Sequence, residues 1–399
     1  MHGDNLTARF MEIYGAGDMP RLFFAPGRVN LIGEHTAYNG GHVLTCALNI
    51  GTYAAVRPRT DRIVRISSLS NGGGTVKEFS LDHPFGGEGQ DHWILHPKGV
   101  IWAFEQVGYR LPRGMDILFD SDMPISAGLS SSASLGVVTA VALRDIFWTP
   151  ELDSMELAKL VTRGATEYAR EAIGITGPYA SLMGVKDHAI FLTVPTLRCE
   201  MIPLCFENCR IVLTDTGVPC GFRSAEYNLR KSECEKALKK LQVVSNIKYL
   251  CDIGSDRFES CKDVIMNETY TKRARHAVYE NMRSIRAVSA LRVRNLNRVG
   301  ELMKQSHISL RDDYEVSCPE LDLLAENAWT LPGVIGSRMT GGGFGGCTIT
   351  ILREEELDHF CEAQRNVYRE HFGRDPEFYV VEAGDGTREM TQNYEEKAL

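Results

Sequence analysis

Apolar and polar positions alternate in short runs over residues 22–57, broken by glycine and asparagine, and this predicts strands joined by a functional loop. Further strands are predicted at 62–67 and 115–119. Helical spacing follows at 97–106 and at 131–146, where Leu135, Val138, Ala142 and Ile146 share one face. A third helix is predicted over 154–172, with Leu157, Val161 and Tyr168 on its buried side. Strand-like stretches at 189–194 and 210–214 flank the expected boundary between two lobes. Beyond it, 226–241 and 272–293 read as helices and 347–352 as a buried strand. No internal repeat or low-complexity segment interrupts this order, so the class is α+β.

Length supports two lobes, because 399 residues exceed the roughly 250–300 at which single cores stop growing. With 43% apolar and 24% charged residues, and no apolar run near the roughly 18 that a membrane span needs, the chain reads as soluble. Met1-His2-Gly3-Asp4 has no basic flank before an apolar core, which predicts no secretory leader and a cytoplasmic location. A net charge of −8 without a long basic run argues against nucleic acid or an anionic membrane as partner. Arg230 and Lys231 lie in a helical stretch and read as solvated. The eleven cysteines are scattered, odd in number and nowhere spaced Cys-x-x-Cys, so they read as reduced thiols. The closest grouping, Cys199, Cys205 and Cys209, has no nearby histidine, and no metal is expected there.

Three glycine-rich segments carry the chemistry. Pro124-Ile125-Ser126-Ala127-Gly128-Leu129-Ser130-Ser131-Ser132-Ala133-Ser134 puts small residues at the start of an apolar helix. There the unpaired N–H groups and about half a positive charge of a helix N-terminus make an anion cradle, although the same serines would serve as a plain N-cap. The second segment runs from Pro26-Gly27-Arg28-Val29-Asn30 through Gly33-Glu34-His35-Thr36-Ala37-Tyr38 to Gly41. The third runs from Gly336-Ser337-Arg338 through Thr340-Gly341-Gly342-Gly343-Phe344 to Cys347, and its glycines permit tight backbone passage beside another loop.

In order and spacing these segments resemble the signature set of galactokinases, in the wider family with homoserine, mevalonate and phosphomevalonate kinases. The resemblance extends over nearly the whole chain, through Trp93, Lys98-Gly99-Val100, Ser224-Ala225-Glu226-Tyr227-Asn228, Arg273-Ala274-Arg275-His276 and Arg311-Asp312-Asp313-Tyr314. It implies the two-lobed GHMP kinase fold, with a ribosomal-protein-S5-like N-terminal lobe at 1–195, a ferredoxin-like C-terminal lobe at 196–399, and an active site between them. It also implies transfer of the ATP γ-phosphoryl group to O1 of galactose, with Mg2+. By resemblance Arg28 stabilises the transferring group, and Glu34, His35, Tyr38, Gly174 and Tyr227 contact the sugar. Pro124, Gly128, Leu129, Ser130, Ser131, Ser132, Ala133, Ser134, Gly342 and Gly343 surround ATP phosphates, with Ser132 also toward Mg2+. Read as bare residues, Arg28 and Glu34 could equally pair on a loop, Tyr227 could be core, and His35 could cap a turn.

Three acids of the family pattern are absent. Ala37 stands where a sugar-binding Asp belongs. In an ungapped register over 163–183, the Mg2+-ligating Glu falls on Ala165 and the catalytic Asp on Gly177, followed by Pro178 in place of Gln. Glu167, two helical positions on, faces elsewhere, and Pro178 is expected to push residue 177 out of helical geometry. The sequence therefore predicts a protein that binds ATP and a galactose-like sugar with phosphoryl transfer impaired or lost, a pseudokinase or sensor reporting to a regulatory protein partner. The alternative is an active sugar kinase of altered substrate without a dedicated aspartate base, with Glu167 or Asp187 as substitute.

Overall fold

The computed structural model describes residues 2–82, 92–124, 128–147, 152–171, 173–220 and 224–391. Ile125, Ser126, Ala127 and Ala172 lie outside the described residues. The chain opens with helix α1 (His2–Tyr14), then strands β1 (Arg21–Ile32), β2 (His42–Pro58), β3 (Ile63–Ser68) and β4 (Lys77–Ser80). Helix α2 (Leu95–Gln106), β5 (Met115–Ser121), α3 (Ser131–Phe147) and α4 (Ser154–Arg163) follow. A π turn (Gly164–Tyr168) leads on to α5 (Thr176–Met183) and to the hairpin of β6 (His188–Thr193) and β7 (Arg198–Pro203). One eight-stranded sheet takes the order β12-β1-β2-β5-β3-β4, with β6 on β2 and β7 on β6. Strand β12 (Arg388–Glu389) belongs to the chain's last part and pairs antiparallel with β1.

Between these ends run β8 (Cys209–Asp215), α6 (Ser224–Leu241), α7 (Ser255–Cys261), α8 (Glu268–Arg292), α9 (Leu296–Asp312) and α10 (Pro319–Ala328). Next come β9 (Val334–Met339), β10 (Cys347–Arg353), α11 (Leu357–Phe372) and β11 (Glu377–Val381). The second sheet is antiparallel throughout, in the order β11-β8-β10-β9. One apolar core lies between the first sheet and its helices, with Phe104, Val137, Val138 and Leu157 fully buried. Another joins the two sheets, because Val29, Leu31 and Leu44 of the first pack with Leu213, Ile349 and Leu302 of the second half. Burial on both sides of the lobe junction removes apolar area from water at about 25 cal/mol per Å², so the junction is held as a core is held. Among the described residues no helix is long and apolar enough to cross a membrane, and all eleven cysteines are free thiols.

Three expectations need correction. The third helix stops at Arg163, and the chain widens into the π turn instead of continuing to 172. Gly164 meets Gly99 of α2 backbone to backbone, and Thr162 and Thr166 turn their hydroxyls back onto the carbonyls of Ala158 and Thr162, both at 2.8 Å, which competes with the regular helical ladder. Gly177 is helical after all, because Pro178 sits in the first turn of α5, where its missing N–H would have no partner anyway. Arg230 is half-buried rather than solvated, donating to the carbonyls of Tyr314 at 2.7 Å and Glu315 at 2.9 Å.

The contact of α2 with the π turn sets a testable balance. Gly99→Ala gains about 1 kcal/mol of helix propensity. Its new Cβ, however, would stand 2.6 Å from the Gly164 carbonyl oxygen, and backbone cannot yield as a side chain does. Overpacking of this kind costs about 1–3 kcal/mol. Gly99→Ala should therefore lower the urea midpoint, and a raised midpoint would show that the two segments part freely.

Candidate active site

Strand β1 is irregular at two places, with register shifts between Pro26 and Arg28 and between Asn30 and Ile32 against β2. Bulges re-aim side chains, and here they turn Arg28 and Asn30 toward a cleft between the two sheets. The cleft holds about 760 Å³, part of it open to solvent. The backbone N–H of Arg28 donates to the Leu129 carbonyl at 3.1 Å and its Nη1 to the Gly128 carbonyl at 3.2 Å, so the arginine is strapped to the loop that precedes α3. Burial lowers the Arg28 pKa from its ordinary value, partly offset by the nearby Glu34 carboxylate.

Gly128 (φ 80°) and Ser130 (φ 61°) are both left-handed, and this bends the loop so that α3 begins at the cleft. Ser130, Ser132 and Ala133 line the cleft, while Ser131 is exposed and Pro124 and Leu129 are buried. Ser134 faces the other way: its hydroxyl donates to the Ala25 carbonyl at 2.7 Å and accepts from the Thr52 N–H at 3.1 Å, an entirely internal role. Gly342 lines the cleft, whereas Gly343 (φ 84°) packs against the Val316 carbonyl. Gly341 closes on the phosphate-type loop, since a Cβ there would stand 3.2 Å from the Gly128 carbonyl oxygen.

The turn after β1 is fixed from inside. Glu34 is buried and ion-paired with Arg338 of β9, and its Oε1 accepts from the Thr340 hydroxyl and the Gly341 N–H, both at 3.2 Å. Burial raises the Glu34 pKa and Arg338 opposes that rise. The Gly33 N–H donates to Glu280 of α8 at 3.0 Å. His35 (φ 61°) has Nδ1 2.9 Å from the Tyr38 hydroxyl, which lies 2.6 Å from that of Tyr314, and its ring packs on Tyr227 and Tyr314. Gly174, Gly177, Pro178, Tyr38, Tyr227 and Ala37 complete the wall.

The structure thus brings together most residues that sequence reasoning assigned to sugar and phosphate, and leaves Pro124, Gly128, Leu129, Ser131, Ser134 and Gly343 off the cleft lining. Ala165 is buried inside the π turn. Glu167 pairs with Arg163 at 3.0 Å on the exposed side, and Asp187 is an exposed turn residue. Sequence reasoning missed the parts played by Arg338, Glu280 and His276. Arg338 stood inside a quoted motif, but nothing in a linear pattern says which carboxylate it meets 304 positions earlier. Among the described residues that line the cleft, Glu34 supplies the only carboxylate.

Comparison with known proteins decides the family. The galactokinase galactose-binding signature matches residues 8–58, the N-terminal GHMP kinase domain 96–185 and the C-terminal GHMP kinase domain 287–370. The galactokinase of Bacillus subtilis (strain 168) is 44% identical over 97% of this chain and 99% of its own length. The chain belongs to the galactokinase family. A second family member, the galactokinase of Clostridium beijerinckii, is 44% identical over 96% of this chain and 98% of its own. The crystal structure of Lactococcus lactis galactokinase complexed with galactose superposes with a TM-score of 0.93 at 38% identity, covering 98% of this chain and all of that one. The fold is accordingly the two-lobed GHMP kinase fold, shared more distantly with the mevalonate kinase of Methanococcus jannaschii (TM-score 0.61, 17% identity). In this family frame, the galactose-binding signature is the stretch that carries Arg28, Glu34, His35, Ala37 and Tyr38.

Two histidines of this site give it a pH signature. Burial pushes His35 down to about 3, helped by the neighbouring His276, and burial pushes His276 to about 4 against the pull of Glu280. Their pKa values in the unfolded chain are ordinary, about 6.5, so below that pH the unfolded state takes up protons that the folded state refuses. Their stabilising contribution is present above pH 6.5 and is lost as pH falls toward about 4. Glu34, raised by burial, works in the opposite direction in the same window. Unfolding free energy should therefore fall between pH 6.5 and 4.5 with a limiting slope of about 1.4–2.7 kcal/mol per pH unit, one to two protons. Urea titrations at stepped pH measure it, and a flat profile would mean that one of these imidazoles is protonated in the folded protein.

Proposed function

We propose that this galactokinase-family chain binds ATP and a galactose-like sugar in the cleft between its lobes, and that its transfer of phosphoryl to the sugar 1-hydroxyl is impaired or lost. The reading is carried by one observation: the described cleft lining has a single carboxylate, Glu34, and that carboxylate is committed to Arg338, Thr340 and Gly341. Binding is supported by Arg28, by the small residues at the start of α3, and by the His35, Tyr38 and Tyr227 wall. ATP phosphates fit this donor set, which is cationic and rich in N–H groups. Mg2+ fits it poorly, because a hard cation wants several oxygen ligands and the chain offers serine hydroxyls, with Ala165 buried away from the cleft. In this reading the boundary at 195/196 separates a sugar- and ATP-binding lobe from a C-terminal lobe that supports it and lends β7 and β12 to the first sheet. Location is cytoplasmic, and ligand closure is reported to a protein partner, the role left to a cleft that binds without transferring.

Steady-state ATP turnover over a panel of hexoses and polyols tests the proposal, alongside thermal shift with ATP and galactose. Stabilisation by both ligands is expected with galactose turnover well below the roughly 1–100 per second of ordinary kinases. Turnover within that range would overturn it, and turnover on another polyol alone would establish the active, altered-substrate reading in its place.

Restoring a single acid should gain little. A Cβ at Gly177 would stand 3.2 Å from both Ser130 Oγ and the Ala133 Cβ, so Gly177→Asp aims its side chain at the phosphate-type loop but in tight quarters. Ala165→Glu puts a carboxylate on a buried turn that must first rewind. Groups that act on one transition state are strongly non-additive. Appreciable galactose phosphorylation should require Ala37→Asp, Ala165→Glu, Gly177→Asp and Pro178→Gln together. If Gly177→Asp alone matched the quadruple variant, the cation and sugar sites would have to be intact already.

A further inference from the structure

Behind the cleft wall, α2 and the chain that leaves the π turn share a buried corner. His92 lies in the short turn before α2 and His96 one turn later, while Glu171 returns beside them three residues beyond the π turn. The close Gly99–Gly164 contact sets the two segments side by side. Nε2 of His96 lies 2.9 Å and Nε2 of His92 3.5 Å from the same oxygen, Oε1 of Glu171. The side chains of Glu171 and His96 are 3% and 5% exposed, and that of His92 is 51% exposed. Although His96 is so near, Glu171 Oε1 is buried and has no hydrogen-bond partner. A buried carboxylate in that state needs a compensating charge.

We propose that His92, His96 and Glu171 bind a divalent transition cation of the Zn2+ type, with three protein donors and a fourth position open to solvent past His92. Two imidazoles and one carboxylate are a familiar zinc donor set. Imidazole is a poor ligand for Mg2+, so this site is chemically distinct from the cation that accompanies ATP. With bonds of about 2.1 Å at tetrahedral angles, donors stand about 3.4 Å apart. The separations of 2.9 and 3.5 Å bracket that value, and all three ligand atoms already lie within 4.8 Å of one another. Closing the remaining gap requires the His92 ring to rotate toward Glu171. Occupancy would pin Glu171, and with it the start of the 173–178 segment that walls the cleft.

The test uses the full chain stripped with a chelator and titrated with Co2+ and Zn2+. The expected result is one equivalent bound, visible d–d absorption from Co2+ displaced by Zn2+, and thermal stabilisation by micromolar Zn2+ that millimolar Mg2+ does not reproduce. His92→Ala, at an exposed position that leaves the core intact, should weaken binding at least tenfold and abolish the Co2+ bands, and Glu171→Gln should do likewise. Failure of the native chain to bind an equivalent would leave a plain His96–Glu171 ion pair and overturn the proposal. Binding unchanged in both variants would overturn it too, by placing the ion on other residues such as the cysteines.

Discussion

The ion pair between Glu34 and Arg338 is the constraint on which the rest of the site depends. Its partners come from opposite ends of the chain and are almost fully buried, at 1% and 0% exposure. Arg338 also donates to the Leu31 carbonyl at 3.0 Å, and Glu34 takes up the Gly341 N–H, so these side-chain contacts cross from the third glycine segment to the first. Desolvating two such ions costs several kcal/mol each, so the pair is a weak source of net stability. Removing either partner would strand the other, at about 3–5 kcal/mol. That asymmetry makes the pair a register pin. Gly341, held by Glu34, in turn abuts Gly128, so the pair reinforces the Arg28 hydrogen bonds that already strap the first segment to the loop before α3.

The electrostatic balance of the cleft follows from that commitment. Once Glu34 is spent on Arg338, the lining offers the partly desolvated Arg28, the start of α3 and neutral hydroxyls. On the proposed reading such a surface suits a polyanion, and its described lining holds no uncommitted carboxylate to take a proton from a sugar hydroxyl. His35 is no substitute, since burial holds it neutral with its pKa near 3 and therefore makes it a very weak base. Loss of a general base alone would cost about 10² to 10⁴ in rate, which leaves room for residual turnover. On the proposed reading, loss of a cation ligand and of a sugar contact would act on the same transition state, and that combination is what weighs against ordinary catalysis.

Much of this was legible in the sequence because the glycine segments encode backbone geometry directly. Left-handed Gly128 and Ser130 and the closely approaching Gly341 occupy positions where a linear motif already implies a turn. The strands at 22–57 and the helix at 131–146 were legible too, since their periodicity matches the burial that their sheet and core impose. The end of α4 was not, because the break at Gly164 depends on Gly99, 65 positions away, and propensity has no access to that contact. Helix α1 and the helices α9 to α11 were missed for a related reason. Their apolar stripes are short and interrupted, as in α9, where buried Ser306, His307 and Ser309 sit among the leucines because the partners that satisfy them come from other elements. Arg230 was misjudged likewise: its charge suggested water, whereas two backbone carbonyls of the 314–315 turn hold it.

The segment from Ala165 to Pro178 concentrates the departures on which the proposed function rests. At its two ends stand Ala165 and Gly177, which the sequence reading sets against a cation ligand and a base, and in its middle Glu171 lies beside His92 and His96. The one described carboxylate of this stretch that is buried, Glu171, is thus absent from the cleft lining. A charge held there cannot neutralise a transferring phosphoryl group, because it does not touch the cleft. It can set how firmly residues 173–178 are held, since Glu171 is covalently three residues from Gly174 and six from Gly177. A cation at that corner would therefore act on ligand affinity through the position of the wall, and a change in sugar or ATP binding on its removal would be a positioning effect with no chemical step attached.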